Sequence, residues 1–492
     1  MQAPNHSFPD EPRYGEPIVQ IQTGGMEIFV ISDLHLASGL NASKNYDGTE
    51  NFFTDDAFVR FIDHLQARQT GTRALLLING DFIDFLRIRN IPATDADFQT
   101  WELLLSRLGI QKGAAELRAS IQKKETEYGL KTHDYKSVWK LHTCMQGHPR
   151  FFERLALWLQ DGNKLVITKG NHDLEWYWPA VRNHFRFYLA GCIARKTEQP
   201  VHEVLRHTIA AQTYFADHAV QFDGTIYAEH GHRFDSTTAV KGPPLLPNGQ
   251  EINLPFGSFF NRYLINRLEL SYPYLDNVRP TSNILLVLLR ERFPLALKML
   301  FHYLPFLLLI IPKKLYWHTF KYLLSFLLVV VAPVLITVFA IWQGWNTALF
   351  KAAVVQKNAS FIGQQLLGTV KNLGFLFLSY IFGRILVFAK LKAPYSFYPE
   401  ALNILMQNPG LEIATFGHTH NPEQQYDQDT HYYNTGTWIP VYESSSADVR
   451  FDKTFTFLHI TRDAAGLPLP YPLQRWNDEA LRSEPMILTE KK

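Results

Sequence analysis

Five short stretches of the sequence carry side chains that bind metal ions, and each one ends an apolar run. Together they supply aspartate, asparagine and histidine side chains, enough to hold two metal ions and to leave one histidine for catalysis. The stretches are Ile31-Ser32-Asp33-Leu34-His35, Asn79-Gly80-Asp81-Phe82-Ile83-Asp84, Gly170-Asn171-His172-Asp173, Glu229-His230-Gly231-His232 and Gly417-His418-Thr419-His420.

The chemistry of these side chains favours hydrolysis at phosphorus. Mixed nitrogen and oxygen ligands without a thiolate suit Mn, Fe, Zn or Co, and we favour Mn. Asp81 can bridge two ions with its two oxygens. Two ions about 3.5–4 Å apart stabilise the attacking and leaving oxygens, and they lower the pKa of a bound water so that hydroxide forms near neutral pH. His172 is then placed to protonate the leaving alcohol, and Asp84 is placed to orient that histidine.

Taken in order, the five motifs resemble the calcineurin-like metallophosphoesterase superfamily. The family pattern is D-x-H, G-D-x-x-D, G-N-H-[DE], a late His and G-H-x-H, and the resemblance covers residues 27–235 and 410–462. It implies an α/β fold in which two packed β-sheets are flanked by helices, an αββα sandwich. It also implies a binuclear, metal-dependent phosphoric ester hydrolase.

The same resemblance assigns a role to each residue of the motifs. The first metal would be bound by Asp33, His35, Asp81 and His420. The second metal would be bound by Asp81, Asn171, His230 and His418. His172 would be the general acid, and Asp84 would be its orienting partner.

Among the subgroups, the chain looks closest to the UDP-2,3-diacylglucosamine diphosphatase branch. Residues 33–36 match its Asp-Leu-His-Leu start, and that branch also has a helical, lipid-contacting lid between the late His and the final motif. The branch has Arg where His172 stands and Asp where His232 stands, and the region corresponding to its lid is longer and more apolar here. The resemblance therefore supports the prediction of metal-dependent hydrolysis more strongly than the prediction of this branch's lipid substrate.

Hydrophobic periodicity predicts the elements that position the motifs. A helix over residues 52–68 between two apolar strands predicts a parallel layer, and residues 96–160 predict a helical insertion. Asp223-Gly224 between two apolar runs predicts a hairpin across residues 218–229. The predicted strands are 27–32, 74–79, 164–168, 411–416, 431–434 and 455–460.

We predict a catalytic domain that is split by an insertion. The predicted organisation is an N-terminal tail (1–26), a first catalytic part (27–240), an apolar helical insertion (241–405), a second catalytic part (406–462) and a C-terminal tail (463–492).

The insertion contains three candidate membrane segments. Residues 322–342 carry no charge and reach the length of about 20 apolar residues that spans a bilayer. Residues 373–389 contain Arg384, and residues 295–311 contain Lys298 and Pro305, which favours a surface-lying segment there. Because the fourth and fifth motifs would share one site, the number of crossings between them must be even, either two or none.

Lysines that flank these segments set the expected location. Lys313, Lys314 and Lys321 precede the first full candidate, and Lys390 and Lys392 follow the second, which favours cytoplasmic ends. We therefore predict a membrane-associated protein whose catalytic domain faces the cytoplasm. The alternatives for the insertion are a buried helical lid or a dimer interface, and the oligomeric state stays open.

Composition excludes several classes of function. The 492 residues include 48 Lys and Arg against 46 Asp and Glu, so a net charge of +2 gives no reason to expect nucleic acid as a partner. Cys144 and Cys192 lie far apart, which argues against a disulfide scaffold or a zinc knuckle. The first residues lack the basic start and apolar core of a secretory signal, and we predict a solvated tail.

Several residues near the motifs have competing interpretations. Asp173 is predicted to hydrogen-bond its loop, Asp235 to be a solvated carboxylate, and Arg87 to be exposed rather than to hold a phosphate. Glu229 and His232 are predicted as structural or supporting residues as readily as catalytic ones. The aromatic run 175–178 favours packing over a substrate pocket, and residues 434–438 are expected to turn back toward the site.

Two functions follow from the sequence. The first is a membrane-attached hydrolase that cuts a phosphoester or pyrophosphate bond, with a lipid-linked or membrane-proximal substrate. The second is a membrane-anchored binding or scaffold protein whose metal site is structural or vestigial. The sequence disfavours the second function because His172 has no evident structural need.

Overall fold

A computed structural model describes residues 15–46, 48–69, 73–272, 275–279, 284–303, 396–427, 430–443, 448–450, 453–463 and 465–488. The chain divides into two compact units, Met1–Leu297 with Pro394–Lys492, and Lys298–Ala393. The candidate membrane segments 322–342 and 373–389 lie outside the described residues, and 295–311 is described only as far as residue 303. All further description of the fold concerns the first unit.

Most strands end close to a motif or a turn. In chain order they are β1 (Ile18–Ile21), β2 (Glu27–Ile31), β3 (Ala74–Asn79), β4 (Lys164–Thr168), β5 (Thr213–Ala216), β6 (Ala219–Phe222), β7 (Ile226–Glu229), β8 (Val278–Arg279), β9 (Ile413–Phe416), β10 (Glu423–Asp427), β11 (Thr430–Asn434), β12 (Val441–Glu443), β13 (Asp448–Arg450), β14 (Thr456–Arg462), β15 (Pro468–Pro470), β16 (Gln474–Asn477) and β17 (Arg482–Pro485).

The helices of the first half fill the long connections between the parallel strands. In chain order the helices are α1 (Asp55–Arg68), α2 (Asp95–Arg107), α3 (Ala114–Ala119), α4 (Glu125–Tyr128), α5 (Asp134–Gly147), α6 (Pro149–Gln160), α7 (Pro179–Thr197), α8 (Val201–Val204), α9 (Ala210–Gln212), α10 (Phe256–Phe260), α11 (Asn266–Glu269), α12 (Ile284–Glu291), α13 (Phe293–Lys298) and α14 (Tyr398–Gln407). The region predicted as a helical insertion thus holds α2 to α6.

The first sheet is mixed and eight-stranded. Its order is β17-β16-β14-β2-β3-β4-β5, with β15 paired to β14, and β2 to β5 run parallel to one another. All six residues of β3 are buried, because other layers cover both faces of this sheet. The three strands predicted over 27–32, 74–79 and 164–168 are neighbours here as β2, β3 and β4.

The second sheet is also mixed, and it contains the predicted hairpin. Its order is β1-β6-β7-β9-β11-β10. Strands β6 and β7 are antiparallel, and the loop between them places Asp223 at φ 51° and Gly224 at φ 74°. Asp and Gly tolerate this left-handed conformation better than other residues, which explains the turn signal in the sequence.

Among the residues that the structure describes, three apolar cores bind the layers together. Val30, Leu77 and Val166 of the first sheet share one core with Val220 and Ile413 of the second, so the two sheets pack face to face. Helices α1, α5, α6 and α7 cover the other face of the first sheet. Helix α14 covers the outer face of the second sheet. The result is an α/β fold of two mixed sheets flanked by helices.

Helix α1 illustrates how a local pattern sets this packing. Phe58, Phe61, Ile62 and Leu65 recur at helical spacing, and all four are buried. They form the stripe that faces the first sheet, while charged residues face solvent. The helix begins at Asp55 rather than at residue 52, with two aspartates in its first turn, where the helix dipole favours negative charge.

Both predicted tails are wrong in part, because each adds strands to a sheet. Strand β1 pairs in parallel with β6, and Val19 and Ile21 are buried. Beyond residue 462, β15, β16 and β17 extend the first sheet, and Trp476 is 1% exposed. These edge strands place few apolar side chains in the core, so their composition looked like that of solvated segments.

The predicted boundaries of the insertion, 241–405, are also too wide. Residues up to Leu297 and from Pro394 belong to the first unit. Asn266 Nδ2 donates a hydrogen bond to the Leu86 carbonyl at 2.7 Å, and Ala401 and Leu405 of α14 are buried against the second sheet. Apolar composition alone did not distinguish these packed helices from the segment between them.

Within the described ranges, no helix combines the length and the apolar character that crossing a bilayer requires. The helices α12 and α13, the second of which ends at the first residue of the second unit, span only eight and six residues.

The C-terminal strands are expected to contribute to stability rather than to hang from the domain. Replacing buried Trp476 in Trp476→Ala should lower the free energy of unfolding by about 3–5 kcal/mol, because a large cavity opens beside α1. Leu469→Ala, at a side chain that is 52% exposed, should change it by less than about 1 kcal/mol. Urea unfolding measures the free energy of unfolding of both variants. An equally small change in the two variants would show that the C-terminal strands do not contribute to stability.

A buried histidine makes stability depend on pH. His148 Nδ1 lies 2.9 Å from Asp55 Oδ1, and His148 Nε2 lies 3.3 Å from Glu50 Oε2. Burial disfavours the charged imidazole, but the two carboxylates outweigh burial and raise the pKa of His148 to about 9. A histidine whose pKa is raised on folding contributes its full stabilisation below the unfolded pKa of about 6.5. This contribution to the free energy of unfolding is lost as the pH rises through the folded pKa of about 9. The difference in unfolding free energy between the wild type and His148→Gln should therefore shrink from pH 6.5 to 9. A constant difference would contradict this assignment.

Candidate metal centre

The predicted ligands of the five motifs lie just after the ends of five strands. Asp33 follows β2, Asp81 follows β3 and Asn171 follows β4, all in the parallel part of the first sheet. His230 follows β7 and His418 follows β9, which are parallel neighbours in the second sheet. Carboxyl ends of parallel strands share one edge of a sheet, where ligand sites of α/β folds form.

One group of side chains gathers around Asp33. His420 Nε2 lies 3.2 Å from Asp33 Oδ1 and 3.1 Å from His35 Nε2. His35 Nε2 lies 3.9 Å from Asp33 Oδ1 and 3.8 Å from Asp81 Oδ2. The four residues that the sequence predicts for the first metal are thus together, although 387 positions separate Asp33 from His420 (420 − 33).

A second group shares Asp81 with the first. His230 Nε2 lies 3.1 Å from Asp81 Oδ2, and His418 offers a further ring nitrogen within reach of both. Asp81 Oδ2 therefore faces histidines of both groups, which is the position of a bridging carboxylate. The Asp81 carboxylate also accepts a hydrogen bond at 2.8 Å from the backbone N–H of His172, next to Asn171.

Two buried polar atoms at this second group have no hydrogen-bond partner. They are Asn171 Oδ1 and His230 Nε2. The Nδ1–H of His230 donates to the Asn79 carbonyl at 2.9 Å, so the lone pair of Nε2 is directed toward Asp81. Buried polar atoms without partners cost free energy, and a bound cation would satisfy both. The donor set of carboxylate, amide and imidazole therefore fits a divalent metal.

The backbone at the ligands is held in a rare conformation. Ten non-glycine residues of the described chain have positive φ, and five of them are predicted ligands. These five are Asp33, His35, Asp81, His418 and His420. Such strain persists only where the surrounding structure enforces it, and it concentrates at functional sites.

The glycines of the motifs have a steric role. A Cβ at Gly80 would lie 2.5 Å from the His230 ring, and one at Gly417 would lie 2.6 Å from Asp33 Oδ2. At Gly170 it would collide with Asp81. These three motifs need glycine because the backbone passes directly against a predicted ligand that comes from another motif.

His172 and Asp84 form a hydrogen-bonded pair beside the metal-binding groups. His172 Nδ1 lies 2.9 Å from Asp84 Oδ2, which also lies 3.2 Å from His35 Nδ1. Burial would raise the pKa of Asp84, but His172, His35 and Arg87 hold it below the usual range of a carboxyl. Asp84 therefore stays ionised and fixes both imidazoles with Nδ1 toward it.

The first aspartate is kept ionised in the same way. Burial opposes the charge on Asp33, yet His230 and His420 bring its pKa down to about 2. An ionised, buried carboxylate surrounded by imidazoles is the state that a metal ion requires of its ligand.

Two residues that were expected to be exposed are buried supports of the site. Arg87 Nε lies 3.1 Å from Asp84 Oδ2, and the Arg87 side chain is 1% exposed, so it does not face a substrate phosphate. Asp235 Oδ2 lies 3.2 Å from His418 Nε2, and Thr237 N–H donates to Asp235 Oδ1 at 2.8 Å. Asp235 thus leaves Nδ1 as the ring nitrogen of His418 that can bind metal. No sequence motif signals this, because the turn over His232–Phe234 decides where the side chain points.

The remaining neighbours are structural. Asp173 accepts from the N–H groups of Gly170 and Phe82, and from Trp176 Nε1 at 3.0 Å, as the loop interpretation predicts. Burial, followed by the negative charge of Asp81, raises the pKa of Asp173 to about 7. Trp176 is buried in the core, which agrees with the packing interpretation of residues 175–178.

Two further predictions concerned Glu229, His232 and the loop after β11. Glu229 accepts from the Arg233 guanidinium at 2.8 Å, whereas the buried His232 ring lies 5.5 Å from that of His230, centroid to centroid. Residues 434–438 do turn back, since Thr437 Oγ1 donates to the Asp33 carbonyl at 2.8 Å. Asn434 Nδ2 likewise donates to the Gly417 carbonyl at 2.8 Å.

Comparisons of the chain with models of protein families, with curated proteins and with solved structures find no match in any of the three.

Removing the support of His418 should weaken one of two metal sites. Asp235→Asn should lower the affinity for one ion by about 10- to 100-fold, because an amide holds the imidazole less firmly than a carboxylate. Asp478→Asn, which alters an ion pair with Arg60 away from the motifs, serves as the control. Calorimetric titration with Mn²⁺ measures both variants. Equal affinities for Mn²⁺ in Asp235→Asn and in the control would show that Asp235 does not support metal binding by His418.

Proposed function

We propose that this protein is a binuclear metal-dependent phosphoesterase that hydrolyses a phosphoester or pyrophosphate bond. One observation carries the proposal: Asp81 Oδ2 faces His35 Nε2 at 3.8 Å and His230 Nε2 at 3.1 Å, so that one carboxylate joins two groups of ligands. Structural sites for zinc are closed, four-coordinate and mononuclear in most proteins, whereas a shared carboxylate is the mark of a two-metal hydrolase.

The protein side chains divide into two ligand sets. Asp33, His35, Asp81 and His420 would hold one ion, and Asp81, Asn171, His230 and His418 would hold the other. Two bound divalent ions supply Lewis acidity at phosphorus and make hydroxide accessible near neutral pH. Mn, Fe, Zn and Co all suit these ligands, and Mn is the ion we favour.

His172 is the proposed general acid. Its side chain is 11% exposed, whereas Asp84 is fully buried behind it. Because Asp84 holds Nδ1, proton transfer to the leaving oxygen goes through Nε2. The carboxylate keeps the imidazole in the orientation and protonation state that this transfer requires.

The layer order supports the finer assignment of the fold. Helices, a mixed sheet, a second mixed sheet and a further helix follow one another, and the ligand loops of both sheets meet at one edge. We infer that this is the αββα sandwich of the calcineurin-like metallophosphoesterases.

The proposed substrate is lipid-linked or membrane-proximal. Its support is the uncharged stretch 322–342, which lies between the fourth and fifth motifs in the sequence. From this stretch we propose a membrane-associated protein, and from the lysines that flank the candidate segments we propose that its catalytic unit faces the cytoplasm. Phosphoester chemistry does not depend on this part of the proposal.

Metal removal tests the proposed function directly. Dialysis against a chelator should abolish hydrolysis of an aryl phosphodiester, and Mn²⁺ should restore it, because both ions act on the reacting phosphoryl group. Asp81→Ala should lose activity and metal together. Asp223→Ala replaces an aspartate of similar φ in the β6–β7 hairpin and should retain both.

Replacing the acid separates catalysis from metal binding. His172→Ala should lower kcat by about 10²- to 10⁴-fold, the usual contribution of general acid catalysis, while metal content stays near two ions per chain. Metal binding without turnover by the wild type on any phosphate ester would instead favour a structural or vestigial site.

A further inference from the structure

A line of buried charged groups runs from the acid–aspartate pair into α11. Asp84 Oδ2 lies 2.9 Å from His172 Nδ1 and 3.1 Å from Arg87 Nε. The other side of the same guanidinium lies 2.5 Å and 3.2 Å from the two carboxylate oxygens of Glu269. The side chains of Arg87 and Glu269 are each 1% exposed, so water does not screen this pair.

Stability alone is a weak reason for such an arrangement. A buried ion pair often contributes no more than the apolar residues that could replace it, because taking both charges out of water is costly. The guanidinium, however, is planar and rigid, and its N–H groups donate hydrogen bonds to carboxylates only in fixed directions. Glu269 binds two of its nitrogens and so holds the guanidinium, and its positive charge, beside the Asp84 carboxylate.

The segment that carries Glu269 holds the two loops of the pair at further points. Ser258 Oγ donates to the Asn171 carbonyl at 3.0 Å, and Asn266 Nδ2 donates to the Leu86 carbonyl at 2.7 Å. Asn171 precedes the acid, and Leu86 lies two residues after Asp84. Residues 258–269 thus contact the backbone on both sides of the pair, and Glu269 contacts the Arg87 guanidinium that lies beside Asp84.

We propose, on the basis of the phosphoesterase function above, that Glu269 is a positioning residue for protonation of the leaving group. Acting through Arg87, it fixes Asp84 and so the angle from which His172 presents its proton. In the step concerned, hydroxide, formed when a water molecule has lost one proton to solvent, makes the new bond to phosphorus, and the bond from phosphorus to the leaving oxygen breaks. The electron pair stays on that oxygen, and the proton of His172 Nε2 moves to it, which leaves a neutral imidazole beside an ionised Asp84.

This role matters only for leaving groups that need a proton. A p-nitrophenolate departs as a stable anion, whereas a phenolate or an alkoxide requires protonation as its bond breaks. A loss of positioning should therefore be visible in the ratio of rates on the two kinds of ester. The ratio does not depend on how much of a variant is folded, because both rates come from the same active molecules.

The experiment compares Glu269→Gln with the wild type on two aryl phosphodiesters that differ only in a p-nitrophenolate or a phenolate leaving group. With Mn²⁺ bound, kcat/KM for the phenolate ester should fall at least about ten-fold, within the range of general acid catalysis, and that for the p-nitrophenolate ester by less than about two-fold. In a His172→Ala background, Glu269→Gln should have no further effect on either ester, because the two residues act on one step.

Glu125→Gln is the matched control. Glu125 is also a buried acid in an ion pair, with Lys136 Nζ at 2.7 Å and both side chains 1% exposed, but it does not contact the motifs. It should leave the ratio of the two rates at the wild-type value.

Two results would overturn the proposal while leaving the phosphoesterase function intact. One is an equal loss on both esters in Glu269→Gln, as from a general loss of structure. The other is a further selective loss when Glu269→Gln is added to His172→Ala. A wild type that hydrolyses neither ester with any divalent metal would overturn the phosphoesterase function itself, and this inference with it.

Discussion

The carboxylate of Asp81 is the point on which both halves of the site depend. It lies at the end of β3, the central parallel strand of the first sheet, and it reaches a histidine of the first sheet and one of the second. An ionised carboxylate that is 1% exposed is costly unless opposite charges or hydrogen bonds surround it. The two sheets must therefore pack so that the loops carrying the predicted ligands lie next to one another. The core between the two sheets fixes this alignment.

The constraint explains the unusual backbone of the motifs. Each motif must turn a side chain toward the site within a few residues of the end of its strand. Few backbone conformations allow this turn, and positive φ is one of them. Asp33, Asp81 and His418 adopt it although each carries a Cβ. The glycines beside them let neighbouring loops approach to distances that no side chain would tolerate. The rigid cores on both sides of the sheets offset this strain.

Around the predicted ligands, a second group of residues holds their side chains in place. The Asn79 carbonyl selects the tautomer of His230, and Asp235 holds His418 by its Nε2. Asp84 holds His172 and His35 through one oxygen, while Arg87 and Glu269 hold Asp84. These supports come from distant parts of the chain, including α11, so the site depends on segments that contain no ligand.

The sequence by itself predicted the candidate ligands, the strands that carry them and the hairpin before His230. These features are local: an apolar run, a glycine and a polar side chain at fixed spacing specify a strand end with a ligand. Tertiary structure alone decided that Asp235 is buried against His418, that Arg87 faces Asp84 and Glu269 rather than solvent, and that both chain ends add strands to the sheets. Each of these depends on partners far along the chain, and no periodicity of a single segment encodes where a distant carboxylate or strand edge will lie. The candidate residues for chemistry could therefore be identified from their spacing, whereas the residues that hold them in place could be identified only from the folded structure.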